Sequence, residues 1–212
     1  MRKKIFGFLA TVLVCGNAAA EPLRHLAQPE RARAWVLEQS GLYMEEAGKA
    51  RRPVKLPGWL WAGEPYACAP DIAIGPRGEA VVTSNVLPVL WRIDPETFAV
   101  SVHRLQLDAD MDKDVGFSGL VYSARDGAFI AVSELHGSMW RIDPLLRRAQ
   151  KIALSEPVRA CKVSVQRQER SARFSRLCLE GRSVNLAPDQ RSAYVQSAGC
   201  TSTTFTLIGG MR

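Results

Sequence analysis

Trp91-Arg92-Ile93-Asp94-Pro95 and Trp140-Arg141-Ile142-Asp143-Pro144 are the same five residues met twice in one chain. Sliding the sequence by 49 residues lays one run on the other, and it also places Gly78 on Gly127, Ser84 on Ser133 and Leu105 on Leu154. That is eight identities in an ungapped stretch of 35 residues, five of them consecutive, with apolar positions matching between them. Self-similarity at this period marks a repeated supersecondary unit.

Each unit parses the same way. A strand (Asp71–Ile74, or Leu120–Ser123) leads to a turn at Gly78 or Gly127. A buried strand follows (Ala80–Ser84, or Phe129–Ser133), then Val89–Ile93 or Ser138–Ile142, closed by an Asp-Pro turn in which proline fixes φ. A last strand, Val100–Leu107 or Ala149–Leu154, completes the unit. Four short antiparallel strands in about 50 residues make a propeller blade. A weaker third copy runs through Asn185-Leu186-Ala187-Pro188-Asp189, Ala193–Ser197 and Thr204–Ile208. The expected architecture is mainly β, a partial β-propeller of about three four-stranded antiparallel blades at residues 66–114, 115–160 and 164–208 within a repeat domain spanning 66–212.

Ahead of the repeats, residues 21–48 read as an N-terminal helix. Pro29 suits a first turn, Gly48 a stop, and Ala32, Trp35, Val36 and Tyr43 form an apolar stripe with Leu42 alongside. Lys49, Arg51, Arg52 and Lys55 with Pro53 and Pro57 then read as a basic linker, so that 21–65 forms one N-terminal segment. Residues 1–20 have the form of a secretory signal peptide: Arg2, Lys3 and Lys4, an apolar run from Ile5 to Val14, and Ala18-Ala19-Ala20. The expected location is therefore the periplasm or the extracellular medium. Losing that segment lowers the formal charge from +7 to +4, because it carries three basic residues and no acidic one. So small a charge, without interleaved aromatics, points away from nucleic acid, and no apolar run approaches the roughly 20 residues of a membrane span.

Cys15 leaves with the signal segment, and Cys68, Cys161, Cys178 and Cys200 remain. Four cysteines in an oxidising compartment are read as two disulfides with three possible connectivities, Cys161–Cys178 with Cys68–Cys200 being the favoured one. Asp108, Asp110, Asp112 and Asp114 alternate as calcium-loop ligands do, but Lys113 stands where such loops need glycine and Gly119 where they need a bidentate glutamate. A solvated acidic loop is the expected reading and calcium the alternative, so no cofactor is expected. Glu134 and His136 are spaced for acid–base chemistry, and the first unit has Asn85 and Leu87 at those places, so the repeat does not impose the pair. Arg167, Arg170, Arg173 and Arg176 lie in an excursion that is either simply solvated or faces an anionic partner.

The runs "WRIDP", "GPRGEAVVTS" and "LAPDQRSAYV" resemble blades of the NHL, SMP-30/gluconolactonase-like and YncE-like β-propellers, over residues 66–208. The resemblance implies the fold. It does not carry an activity, because the lactonase metal ligands have no position-by-position match here. The expected function is an exported, non-enzymatic binding module that presents blade loops to a protein or small ligand. The alternative is a calcium-assisted, lactonase-like hydrolase using some of Asp108, Asp110, Asp112 and Glu134. Three blades leave open edges, for which a monomer closed by the N-terminal helix and a disulfide is expected over a homodimer completing a six-bladed ring.

Overall fold

The computed structural model describes residues 22–63, 68–108, 115–133 and 136–153, and the backbone of three later strands, Ser183–Leu186, Ser192–Gln196 and Thr203–Thr206. The described residues form four antiparallel meanders. Sheet A contains β1 (Arg24–Gln28), β2 (Arg33–Glu38), β3 (Gly41–Glu46) and β4 (Arg52–Val54). Sheet B contains β5 (Ile72–Ile74), β6 (Ala80–Thr83), β7 (Val89–Ile93) and β8 (Val100–Arg104). Sheet C contains β10 (Gly119–Ser123), β11 (Ala128–Ser133), β12 (Ser138–Ile142) and β13 (Arg148–Ile152), with β9 (Gln106–Leu107) added parallel to β13. Sheet D contains β14 (Ser183–Leu186), β15 (Ser192–Gln196) and β16 (Thr203–Thr206).

The repeat is exact in register. Trp91 is the third residue of β7, opposite Val82 and Val102, and Trp140 is the third residue of β12, opposite Ala131 and Lys151. Every one of those partners is 49 residues from its counterpart. Both tryptophans are buried, at 1% and 0% exposure. Gly78 and Gly127 both adopt the left-handed conformation, φ +79° and +58°, that a side chain would strain.

The N-terminal helix is not formed. Residues 24–54 are sheet A, and the only helical turn described there is the 3-10 turn Pro29–Arg31, which Ala32 ends at φ +48°. The apolar spacing imitates a helical stripe because Trp35 and Val36 are both buried, on opposite faces of one strand. Trp35, Leu37, Leu42 and Met44 follow the period of two that a strand dictates. The expected basic linker likewise contributes a strand: Arg52–Val54 pairs with β3, and Pro53 is tolerated because β4 is the sheet edge.

Sheet B lies between its neighbours and is buried on both faces, which is why β6 runs apolar through Ala80, Val81 and Val82 instead of alternating. Ala80 and Val82 enter the core shared with sheet A, around Trp35 and Trp91. Val81, Ala73 and Leu90 enter the core shared with sheet C, around Phe117, Phe129 and Trp140. The first strands, β1, β5, β10 and β14, are neighbours in that order, as the innermost strands of consecutive blades are.

The repeated pentapeptide now has a physical reading. Its tryptophan and isoleucine fill the cores. Its aspartate closes the following turn: Asp94 Oδ1 accepts the N–H groups of Glu96 and Thr97 at 3.0 and 2.8 Å, and Asp143 Oδ1 accepts that of Leu145 at 2.9 Å. Whereas Arg141 Nη2 donates to the Asp126 carbonyl of its own sheet at 2.8 Å, the first copy's arginine reaches across to the next sheet, Arg92 Nη2 donating to the Pro144 carbonyl. Arg33 of sheet A does the same to Pro95 of sheet B, at 2.7 Å. Consecutive sheets are thus clasped arginine to Asp-Pro turn.

Candidate functional site

Within each meander, successive strands reverse. The starts of β1, β5 and β10 therefore share one end with the loops β6–β7 and β11–β12, and the Gly75–Glu79 and Asp94–Ala99 turns lie at the other.

At the first end stands Asp71, just ahead of β5. Its backbone is held by Thr83, whose Oγ1 accepts the Asp71 N–H at 2.8 Å and whose own N–H donates to the Asp71 carbonyl at 2.9 Å. The carboxylate is 2% exposed. Oδ1 accepts the Ile72 N–H at 2.8 Å and pairs with Arg24 Nε at 3.2 Å; Oδ2 accepts the Leu120 N–H at 3.0 Å. One carboxylate thus touches three consecutive inner strands. Burial pushes its pKa up to about 6, against the opposing pull of Arg24 and of the Leu120 and Ile72 N–H groups. With its oxygens engaged in this way, Asp71 positions strands.

Next to it, Ser84 and Asn85 at the end of β6 gather both inter-sheet connectors. Asn85 Nδ2 donates to the carbonyls of Ala62 and Cys68 at 2.6 and 2.7 Å, and Oδ1 accepts the Ala62 N–H at 2.9 Å. Ser84 Oγ donates to the Leu60 carbonyl at 2.6 Å, and the Ser84 carbonyl accepts the Phe117 N–H at 2.6 Å. Gly116 passes so close that a Cβ on it would lie 1.9 Å from the Asn85 carbonyl carbon. Trp59 Nε1 donates to the Thr83 carbonyl at 2.9 Å, and Trp91 Nε1 to that of Pro57 at 2.8 Å. The connector Pro57–Gly63 is fixed along its length, yet it leaves Leu60 55% exposed between Trp59 and Trp61, whose rings stand 6.0 Å apart.

Of the residues singled out from the sequence, Asp108 follows β9 on the outer edge of sheet C, where its Oδ1 accepts the Lys151 N–H at 2.9 Å. His136 is exposed in the β11–β12 loop. Asp110, Asp112, Asp114 and Glu134 lie outside the described residues, as do Cys161, Cys178 and Cys200, the arginine-rich excursion and the signal segment. Cys68 lies just ahead of β5, its carbonyl accepting from Asn85 Nδ2. No three His, Cys, Asp or Glu side chains among the described residues are placed to hold a metal ion. Sequence reasoning missed Asp71 and Asn85. The signal for Asp71 was an aspartate opening an apolar strand where the sister unit has Leu120.

The sequence matches no protein family and no curated protein. The structure is similar to solved propeller-type proteins at low identity. Virginiamycin B lyase from Staphylococcus aureus with quinupristin superposes with a TM-score of 0.53 at 13% identity, over 90% of this chain and 57% of that one. Hydrazine synthase from Kuenenia stuttgartiensis gives 0.52 at 12%, over 92% and 47%. An auxiliary nutrient binding protein from Bacteroides thetaiotaomicron gives 0.50 at 11%, over 82% and 35%. The chain spans about half or less of these proteins' lengths. The likeness shows a propeller-type β fold, as the repeat implied. Among the described residues no helix is long and apolar enough to cross a membrane.

Proposed function

We propose that this is an exported binding module that presents the Asp71–Asn85 end of its sheets, with the Trp59-Leu60-Trp61 connector as the contact surface. The observation that carries this reading is the combination at that connector: backbone and indole groups pinned by hydrogen bonds, and an apolar side chain left in solvent. Holding apolar groups rigid and exposed lowers the ordering cost of binding, and tryptophan is favoured where one side of a ring is packed and the other meets a partner. The ligand implied has an apolar face. The described carboxylates at Asp71 and Asp108 are already used to hold backbone N–H groups, which favours binding over catalysis.

The test uses 8-anilinonaphthalene-1-sulfonate, an apolar fluorescent probe, on the folded protein. Leu60→Ser with Trp61→Ala is expected to weaken probe binding about tenfold or more while changing stability by about 1 kcal/mol or less, since Leu60 is mostly in water. Unchanged probe binding would remove this surface from consideration.

The calcium-assisted reading rests on some of Asp108, Asp110, Asp112 and Glu134. Calorimetric titration with calcium is expected to give no heat up to about millimolar concentration, the range of weak extracellular calcium modules. Micromolar binding that disappears in an Asp110→Ala, Asp112→Ala double variant would overturn the binding-module reading in favour of the hydrolase.

A further inference from the structure

Sheet C carries a fifth strand that sheet B lacks. The connector leaving sheet B forms β9, which lies parallel to β13 on the outer edge of sheet C. Three hydrogen bonds hold it there. The Arg147 and Ala149 carbonyls accept the Gln106 and Asp108 N–H groups at 2.8 and 3.1 Å, and the outward Lys151 N–H donates to Asp108 Oδ1 at 2.9 Å.

The outer strand of sheet B, β8, has the same register without that cover. Phe98, Val100 and Val102 stand 49 residues before Arg147, Ala149 and Lys151, and Val102 pairs with Trp91 as Lys151 pairs with Trp140. The Phe98 and Val100 carbonyls and the Val102 N–H therefore point away from β7, and among the described residues no strand lies beyond β8. The cause is in the chain. One repeat before Gln106-Leu107-Asp108 stands Pro57-Gly58-Trp59. Pro57 has no N–H to give, and its carbonyl and the Trp59 indole are bound inward, to Trp91 and Thr83. The connector leaving sheet A is thus diverted from the place that its counterpart takes on sheet C. Ala99 and Val100, the counterparts of the two residues that pair with β9, instead line a surface cavity of about 280 Å³. Val102 is 48% exposed, and Arg104 is exposed where sheet C has Ala153. Sheet A, by contrast, has Pro53 on its edge strand β4, a residue that discourages strand pairing.

We propose that β8 binds an extended, acidic peptide segment of a partner protein as a fifth strand parallel to itself, with an aspartate carboxylate accepting the Val102 N–H. The pairing of β9 with β13 supplies both the orientation and the aspartate. Arg104, two residues along the same face as Val102, adds a cation that sheet C does not have, so an acidic strand is favoured here. In strand addition the main-chain bonds supply affinity and alternate side chains supply specificity. The Trp59–Trp61 surface takes no part, so either site can fail alone.

Heteronuclear NMR on the isotope-labelled full chain, titrated with the pentapeptide Leu-Gln-Leu-Asp-Ala, tests it. The peptide repeats residues 105–109. It is expected to shift the Val100 and Val102 amide signals with a Kd of about a millimolar or tighter. The same peptide N-methylated at its aspartate cannot donate to the Val100 carbonyl and is expected to bind about tenfold more weakly or worse. Val102→Pro removes the outward N–H at an edge position where proline is tolerated, and is expected to weaken the unmodified peptide about tenfold. If that variant does not fold, the two peptides on the native chain carry the test alone. No shift in β8 at about ten times the expected Kd, or equal binding of the N-methylated peptide, would overturn the proposal. So would a dimer in light scattering that Val102→Pro dissociates and the peptide leaves intact, since the edge would then belong to a second copy of the chain.

Discussion

Trp91→Ala is expected to destabilise the protein by about 3–5 kcal/mol, the range for removing a large aromatic side chain from a packed core. Urea unfolding followed by far-ultraviolet circular dichroism measures it. Trp91 is 1% exposed between sheets A and B, in a core with Trp35, Leu42, Val82 and Ile93. Two costs combine. The cavity loses the ring's contacts, and the Pro57 carbonyl loses the indole N–H that it accepts at 2.8 Å. Trp140→Ala is expected to cost a similar amount through the core alone, because its N–H goes to Ser138 Oγ within the same strand and anchors no connector. The pair therefore separates two effects. Equal core losses confirm that the tryptophans are equivalent, and the excess at Trp91 reports the connector. In a domain whose whole stability is about 5–15 kcal/mol, a loss below about 1 kcal/mol at either position would contradict the stacking of sheets A, B and C.

What could be read from the sequence was local and repeated. The pentapeptide announces itself because its tryptophan, isoleucine and aspartate take the same places in both copies at the same register, so the strands of sheets B and C and the turns at Gly78 and Gly127 follow from it. The late copy also forms strands, at Ser183–Leu186, Ser192–Gln196 and Thr203–Thr206. Sheet A escaped because it lacks the pentapeptide, and because Trp35 and Val36, buried on opposite faces, imitate a helical stripe. The site escaped for a different reason. Asp71 draws its role from Arg24 and Leu120, and Asn85 from Ala62 and Cys68, all remote in sequence. A single residue type carries no mark of partners that only the fold supplies. Departures from the repeat were the better guide: Asp71 against Leu120, Asn85 against Glu134 and Glu79 against Ala128 each break the pattern, and Asp71, Asn85 and Glu79 are all buried polar groups flanking β5 and β6.

Asp71→Asn is expected to flatten the pH dependence of stability between about pH 4 and 7. The folded-state pKa is raised to about 6, from an ordinary carboxylate value of 3.8. Below that ordinary value the group is protonated in the folded and unfolded chains alike. As pH rises the unfolded chain releases its proton first, so the folded state binds more protons across the window and stability falls until the pH passes about 6. A shift of this size corresponds to roughly 3 kcal/mol at 1.36 kcal/mol per unit. The physical cause is burial, which costs the ionised form more than Arg24 and the two N–H groups return. Asparagine cannot ionise, so the variant should lack this slope even if its stability at any one pH is lowered by presenting an amide N–H to Leu120 or Ile72. Urea titrations of both proteins at intervals through the window measure the difference, and it is the slope that decides. Parallel curves would mean that Asp71 is ionised throughout, with Arg24 holding it. A native slope that vanishes in the variant would mean that the strap joining β1, β5 and β10 is tightest when its carboxyl carries a proton, so that mild acid strengthens the end of the molecule that presents Trp59, Leu60 and Trp61.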